Sequence, residues 1–296
     1  MRHASRAVAQ TGPAAIVSQA TEAITPLRDS LALHKAGYFA IGFGGGVKDL
    51  TPFQGQHWLQ TVRFMANPPV DLARPNFMMY LPVGDSLIPI GVAYTRRAPT
   101  DSALPTDLAG TPAEWHTHIF CRNAPGEGTV LADGLDDCKA RGGVPAPNQI
   151  AMVHTWTIAN PDGVFAHDNP ALPYVATRLK PPAHVTREDR LFGIALGETY
   201  GARLVAAHHI DRASDRAGTR APLEKDRAAL QALVPQLRDA ERAGDSSRFQ
   251  SLRKKTIDAW SVLAAEYRAL APTPEMRARF DLELDQAQGL MAHHHM

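Results

Sequence analysis

The segment NFMMYLPVGDSLIPIGVAYTR, residues 76–96, decides the fold class. It contains two apolar runs, Asn76 to Pro82 and Ser86 to Arg96, joined by a turn-forming Val-Gly-Asp step. Such runs around a Gly-Asp step are typical of an antiparallel β-hairpin. Two further strand candidates run from Ala113 to Cys121 and from Gln149 to Ala159. We therefore predict an α+β protein with an antiparallel β-rich domain, barrel-like or sandwich-like, flanked by helices.

Turn-forming residues divide the chain into two parts. Most of the 22 glycines and 23 prolines precede residue 211, which indicates many short elements there. After residue 221, apolar residues recur at helical spacing among balanced charges. The expected organisation is an N-terminal tail and helix over residues 1–37, a β-rich domain over 38–210, and a helical hairpin or three-helix C-terminal region over 221–292. Within these limits we predict single helices over residues 14–36 and 191–210.

The overall charge excludes some classes of partner. Thirty-one Lys and Arg residues against 30 Asp and Glu residues leave a formal net charge of +1. This balance argues against a nucleic-acid or anionic-membrane binder, and no window approaches the run of about 18 apolar residues that a transmembrane helix needs. Two cysteines, Cys121 and Cys138, are too few for a thiolate zinc finger. We expect Cys121 to be a buried thiol or a disulfide partner.

The N-terminal sequence leaves the compartment open. The first 13 residues carry Arg2, His3 and Arg6, but no apolar signal-peptide core follows them. A cytoplasmic protein has such a start. A periplasmic or secreted protein has it too, if a signal peptide precedes this start.

The sharpest local motif is EWHTH, residues 114–118. Because side chains alternate along a strand, Glu114, His116 and His118 are expected on one face. Two imidazoles and a carboxylate are suitable ligands for a divalent transition metal. The alternative interpretation is that the histidines are ordinary half-exposed strand residues.

Two more histidines are candidates for the same site. His154 lies in an apolar row of the 149–159 strand, so it is expected to be buried and to need a hydrogen bond or a metal. His57, in Gly-Gln-His-Trp, comes from a separate segment. We predict one zinc, copper or iron ion held by His116, His118 and His154, with His57 or Glu114 completing the shell. The terminal run of residues 293–295 is left aside.

An open coordination position would let this ion activate water or dioxygen, as in a metal-dependent hydrolase or oxidoreductase. The expected partner is then a metal ion or a small molecule. A competing hypothesis is a non-catalytic interaction module whose helical C-terminal region forms a homo-oligomer interface. A third is a ligand-binding barrel with an aromatic mouth formed by Trp58, Trp115 and Trp156.

The His-x-His pattern on a β-rich chain is similar to that of cupins, which carry a Glu soon after the pair and a later Pro-x-Gly segment with another His. Here the next Glu after His118 is Glu127, nine positions on. Residues 161–163 read Pro-Asp-Gly, but one residue too many separates them from His167. The resemblance to cupins therefore implies a shared architecture and no ligand set.

A longer resemblance covers roughly residues 36–170. The stretch from His154 to Pro170 reads HTWTIANPDGVFAHDNP, and it resembles the closing segment of a group of uncharacterised, often exported bacterial proteins. The same group has a Gly-x-His-aromatic step, matched at residues 55–58, and a Gly-Val-x-Tyr step, matched at 91–94, often with Glu in place of Ala93. The resemblance implies that His57 and His154 belong to one recurring constellation, and that an extracytoplasmic location is to be considered.

The turn formers within residues 160–170 also predict a loop anchored by Phe165. In that loop, His167 and Asp168 are expected to be surface or loop-stabilising residues. The other possibility is that they orient a metal ligand.

Overall fold

A computed structural model describes residues 12–41, 50–124, 128–132, 134–140 and 142–290. The strands are β1 (Tyr38–Ala40), β2 (Gln56–Gln60), β3 (Phe77–Val83), β4 (Ser86–Pro99), β5 (Asp107–Leu108), β6 (Thr111–Pro112), β7 (His116–Ala124), β8 (Gly128–Ala132) and β9 (Val144–Trp156). The helices are α1 (Pro13–Ile24), α2 (Ser30–Lys35), α3 (Thr61–Ala66), α4 (Leu135–Ala140), α5 (Leu172–Thr177), α6 (Arg187–Thr199), α7 (Val205–Ala217), α8 (Ala221–Arg242), α9 (Ser246–Leu270) and α10 (Pro274–Ala287). Residues 1–11 of the expected tail, Glu127 and residues 293–295 lie outside the described residues.

Seven strands form one antiparallel sheet in the order β1-β2-β3-β4-β9-β7-β8, curled into a half-barrel. The predicted hairpin over residues 76–96 is confirmed as β3 and β4, with Val83 paired to Ser86 across a two-residue turn. Gly84 adopts a φ of 58° in that turn, a conformation that glycine reaches without steric cost. The predicted α+β class, with a β-rich sheet flanked by helices and a helical C-terminal region, is confirmed.

The two faces of the sheet are buried against different partners. One face carries Trp58, Tyr80 and Val153 and packs in one core with Ile16 and Ile24 of α1. The other face has its own core, in which sheet residues pack against helices α3 and α5; this core includes Phe64, Phe77, Met79, Ala93, Met152, Trp156 and Leu172. Because β4 and β9 pair closely at Gly91, a Cβ there would lie 2.7 Å from the Thr155 carbonyl oxygen. The second face is the one that carries the histidines.

The two predicted long helices are each broken. The expected helix over residues 14–36 is α1 and α2, separated by a segment that contains Pro26. The expected helix over 191–210 is wrong in the same way: it is the end of α6 and the start of α7, with Gly201 at φ 92° between them. Proline and left-handed glycine interrupt helical hydrogen bonding, which explains both breaks.

The C-terminal helices share a core with α6 and α7. Ile194 and Ile210 pack in one cluster with Leu230, Trp260 and Leu263. The boundary between a β-rich domain at 38–210 and a helical region at 221–292 stays a prediction. Within the described part of the chain, no helix is both long enough and apolar enough to cross a lipid bilayer.

A buried ion-pair network ties these helices together. Glu198 is 1% exposed, and its carboxylate accepts hydrogen bonds from Arg203, Arg227 and Tyr267. Arg227 also donates to Asp211 at 3.0 Å. Burial raises the pKa of Glu198, and the two arginines oppose that rise. Buried charges of this kind are stable only while they remain paired.

A disulfide joins Cys121 of β7 to Cys138 of α4, with Cα atoms 5.4 Å apart. Of the two fates expected for Cys121, it is the disulfide that the structure shows. The bond fixes α4 against the strand that carries His116 and His118.

Candidate metal centre

Three histidines form a compact group on the second face of the sheet. His116 and His118 lie two residues apart on β7, opposite Met152 and Ile150 of β9, so both rings project to the same side. His167 reaches them from the loop between β9 and α5. One ligand atom from each ring lies within 4.8 Å of the other two, and all three side chains are buried.

The loop that carries His167 is held by its own hydrogen bonds. Trp156 of β9 donates its indole N–H to the carbonyl of Ala166 at 2.7 Å. On the other side of His167, Asn169 donates its backbone N–H to Phe53 at 2.8 Å and its side-chain amide to Ala159 at 3.1 Å. These bonds fix the backbone on both sides of His167. The expectation of a surface position for His167 and Asp168 is wrong, since each is only 8% exposed.

Asp168 and Gln54 determine the protonation of the His167 ring. The Asp168 carboxylate oxygen Oδ1 lies 3.3 Å from His167 Nδ1, and a carboxylate accepts hydrogen bonds but does not donate them. The tautomer of the neutral ring follows from Gln54, whose amide nitrogen can only donate. His167 Nε2 accepts from it, so Nδ1 carries the proton and faces Asp168. The Gln54 amide nitrogen lies 3.0 Å from that Nε2 and also donates to Asp168 at 3.1 Å. A carboxylate facing the protonated ring nitrogen is the usual arrangement of a metal-bound histidine, and here the lone pair of the other nitrogen accepts from Gln54.

His154 connects the sheet to this loop. Its Nδ1 lies 2.6 Å from the main-chain carbonyl oxygen of His167, which can only accept, so Nδ1 donates the hydrogen bond. The opposite nitrogen, Nε2, lies 3.4 Å from Nε2 of His57. Burial lowers the pKa of His57 to about 3, and burial also holds the pKa of His154 well below its ordinary value. Both rings are therefore neutral at neutral pH.

The contact between His57 and His154 depends on the curl of the sheet. His57 lies on β2 and His154 on β9, with β3 and β4 between them. At about 4.8 Å between neighbouring strands, their backbones would be about 14 Å apart in a flat sheet. Curling makes this face concave, and the small side chain of Ala93, paired with His154, leaves space above β4.

The rings form one continuous cluster with His116 at its centre. The His116 centroid lies 4.2 Å from that of His167 and 4.9 Å from those of His118 and His154. Of the predicted site residues, four are thus brought together: His116 contacts both His118 and His154, and His57 lies behind His154. The three-residue group that could hold an ion contains His167, however, where the sequence had suggested His154.

Glu114 is placed differently from the sequence expectation. The side chain is exposed and does not belong to the histidine group. The alternation of side chains expected for a strand does not extend to Glu114, because β7 begins only at His116. The preceding residue, Trp115, instead donates its indole N–H to the Asp107 carbonyl at 2.9 Å.

No protein-family model, curated protein or solved structure matches the chain. What the centre can do therefore follows from its own residues.

A cavity of about 110 Å³ borders the histidine group. Gln54, His118, His167 and Asp168 line it on the side of the sheet. Helix α10 lines it on the other side, through Arg279, Glu283, Gln286 and Ala287. Two of the three grouped imidazoles thus border a space of molecular size, and the C-terminal helical region forms its opposite wall.

Proposed function

We propose that this protein binds one divalent transition metal ion through His116, His118 and His167. The observation that carries the proposal is the convergence of the three ligand atoms within 4.8 Å in a buried position. Neutral imidazole nitrogens suit zinc, copper and iron. Tetrahedral ligands at about 2.0–2.1 Å from zinc lie about 3.3 Å from one another, so the three ligand atoms would draw together from their present spacing of up to 4.8 Å.

The Asp168 carboxylate supports the proposal because it orients one of the three rings. Its contact with His167 Nδ1 leaves Nε2 as the metal-binding atom and makes that atom more basic. An ion bound there would take the place of the Gln54 amide, which lies 3.0 Å from Nε2. In the same proposal, His154 anchors the loop through the His167 carbonyl, and His57 supports His154 from behind. The earlier prediction that His57, Glu114 and His154 are themselves ligands stays a prediction.

Three protein ligands leave a coordination position open, as in catalytic zinc sites. His118 and His167 line the cavity, so we infer that this position faces it. A water molecule bound there would have a lowered pKa and could act as a nucleophile, and a redox-active ion could bind dioxygen there. The proposed activity is therefore that of a metal-dependent hydrolase or oxidoreductase acting on a small molecule.

The proposal is tested by measuring metal binding in protein purified without a metal-affinity column. The terminal histidines 293–295 could bind metal on their own, so the experiment uses a parent chain in which they are replaced by alanine. We expect about one zinc per chain by calorimetric titration. The double variant His116→Ala, His118→Ala should lose that uptake, while the control His184→Ala, which removes an exposed histidine, should keep it. A parent that takes up no zinc, copper or iron, or a double variant that binds as the parent does, contradicts the proposal.

The disulfide supports a location in an oxidising compartment, and we propose the periplasm or the extracellular space. The only two cysteines of the sequence are paired, and such bonds are rare in reducing cytosol. Alkylation of the native host's protein in cell fractions tests this. Two cysteines that do not react with the alkylating reagent, in protein from the exported fraction, support this location. Two reactive thiols, in protein from the cytosolic fraction, contradict it.

Association through the helical region stays a prediction. The apolar stripe from which it came packs within the chain, since Leu223, Leu230 and Leu237 are fully buried. The metal centre is therefore the function that the geometry favours.

A further inference from the structure

We infer that the cavity beside the histidine group binds a small monocarboxylate, whose single carboxylate group contacts both the metal and Arg279. This inference rests on the proposed metal function and adds the chemical class of its ligand. It depends on how α10 and the half-barrel face one another across the cavity.

The two walls of the cavity come from distant parts of the sequence. His118, His167 and Asp168 form the wall that would hold the metal, and Arg279 and Glu283 of α10 line the same space. A ligand in the cavity would thus contact a Lewis acid and a guanidinium at the same time. Arginine and a metal ion are both groups that bind carboxylate oxygens well.

The charges around the cavity favour a single negative charge on the ligand. Asp168 and Glu283 are the acidic residues of the lining, and Arg279 is the basic one. With neutral imidazoles and a divalent ion, these side chains leave one positive charge uncompensated. A net charge among partly buried side chains is costly, so an anion of charge −1 is the complementary occupant.

Arg279 is held in place for such a contact. Its Nε donates to Glu283 Oε1 at 2.8 Å, and the other oxygen of Glu283 accepts the backbone N–H of Ala206 at 2.8 Å. The side chains of Arg279 and Glu283 are 11% and 17% exposed, respectively. A guanidinium fixed in this way loses little conformational entropy when it binds a ligand.

The cavity has room for a small anion. Its volume of about 110 Å³ exceeds the share of roughly 30 Å³ that one water molecule takes in the liquid, so acetate or propionate fits. Phe53 and Leu131 in the lining provide apolar contacts for a short alkyl group.

The test uses the Co²⁺-loaded full chain, with the terminal histidines replaced as above, and follows the visible absorption of the cobalt. Titration with acetate should shift the spectrum in a saturable manner, and acetamide, a neutral molecule of the same shape, should be at least tenfold weaker. The variant Arg279→Gln should still bind Co²⁺ but should weaken acetate about tenfold or more, as expected for the loss of a charge-assisted hydrogen bond. The acetate affinity of the variant Arg279→Lys should lie between that of the parent and that of Arg279→Gln.

The control Arg277→Gln removes the same charge from an exposed position on α10 and should leave the acetate affinity unchanged. If Arg279→Gln fails to fold, as judged by circular dichroism, the inference is still tested by the acetate affinity of Arg279→Lys and by the ratio of the acetate and acetamide affinities of the parent. Equal affinity for acetate and acetamide, or an acetate affinity that Arg279→Gln leaves unchanged, overturns the monocarboxylate inference alone. A parent chain that takes up no cobalt overturns the metal proposal as well.

Discussion

Replacing Asp168 by asparagine tests whether the carboxylate beside His167 is part of the metal centre. The asparagine keeps the shape of the side chain and can still accept from Gln54, but the negative charge is lost. The carboxylate oxygen lies 3.3 Å from His167 Nδ1, so its distance to an ion bound at Nε2 is about 7 Å once the ring and the metal–nitrogen bond are added. The attraction between a divalent ion and one negative charge at that distance is about 5 kcal/mol at an effective dielectric constant of about 20, and about 1 kcal/mol in water.

The cavity is partly open, so the effect on the free energy of metal binding should lie between these limits and near the lower one. We expect the zinc dissociation constant to rise about 10- to 100-fold, the range found for carboxylates that orient metal-bound histidines. Competition titration against a chromophoric chelator measures this change. Asp162→Asn is the matched control, because Asp162 belongs to the same loop but pairs with Arg190. Unchanged zinc affinity in Asp168→Asn, or an equal loss in both variants, would refute the assignment.

Three further predictions concern stability and are measured by urea denaturation. Gly91→Ala should lower the free energy of unfolding by about 1–3 kcal/mol, because the new Cβ meets the Thr155 carbonyl; an unchanged value would mean that the two strands separate easily. Arg227→Met should cost about 3–5 kcal/mol, because Glu198 stays buried with less compensation; a neutral effect would show that the network is dispensable. Burial lowers the pKa of His208 from 6.5 to about 4, so the unfolded chain takes up this proton first, and His208 alone should lower stability by about 1.4 kcal/mol per pH unit between pH 6.5 and pH 4. His57 and His154 add to the slope in the same direction. His208→Gln should therefore reduce the slope by about 1.4 kcal/mol per pH unit, and an unaltered slope would contradict the assignment.

Local chemistry explains the parts of the fold that the sequence predicted. The hairpin followed from two apolar runs around Gly84, because turn and register are set by neighbouring residues. The pairing of His116 and His118 on one face followed from the two-residue period of a strand. The break at Gly201 was missed because apolar spacing continues across it, although a single left-handed glycine ends the helix.

Long-range contacts explain what was missed at the site. His167 looks like a loop residue in sequence, and it joins the cluster because hydrogen bonds from Trp156 and Asn169 fold its loop back over the sheet. The sequence features that could have indicated this fold-back are the Asn-Pro steps around that loop and the apolar row of the strand that contains His154. The role of α10 as a wall of the cavity had no local signature, since Arg279 lies over a hundred residues from His167 and lines the same space only through packing.

The order of the ligands along the chain has a consequence for biosynthesis. All three imidazoles precede residue 168, whereas the helix that forms the opposite wall of the cavity begins at Pro274. A polypeptide emerging N-terminus first, from a ribosome or a translocon, thus presents its histidines well before their cover exists. If the proposed ion binds, it would meet less obstruction during that interval than after α10 has folded, so chains completed in metal-poor medium should load more slowly afterwards than chains supplied with metal during synthesis.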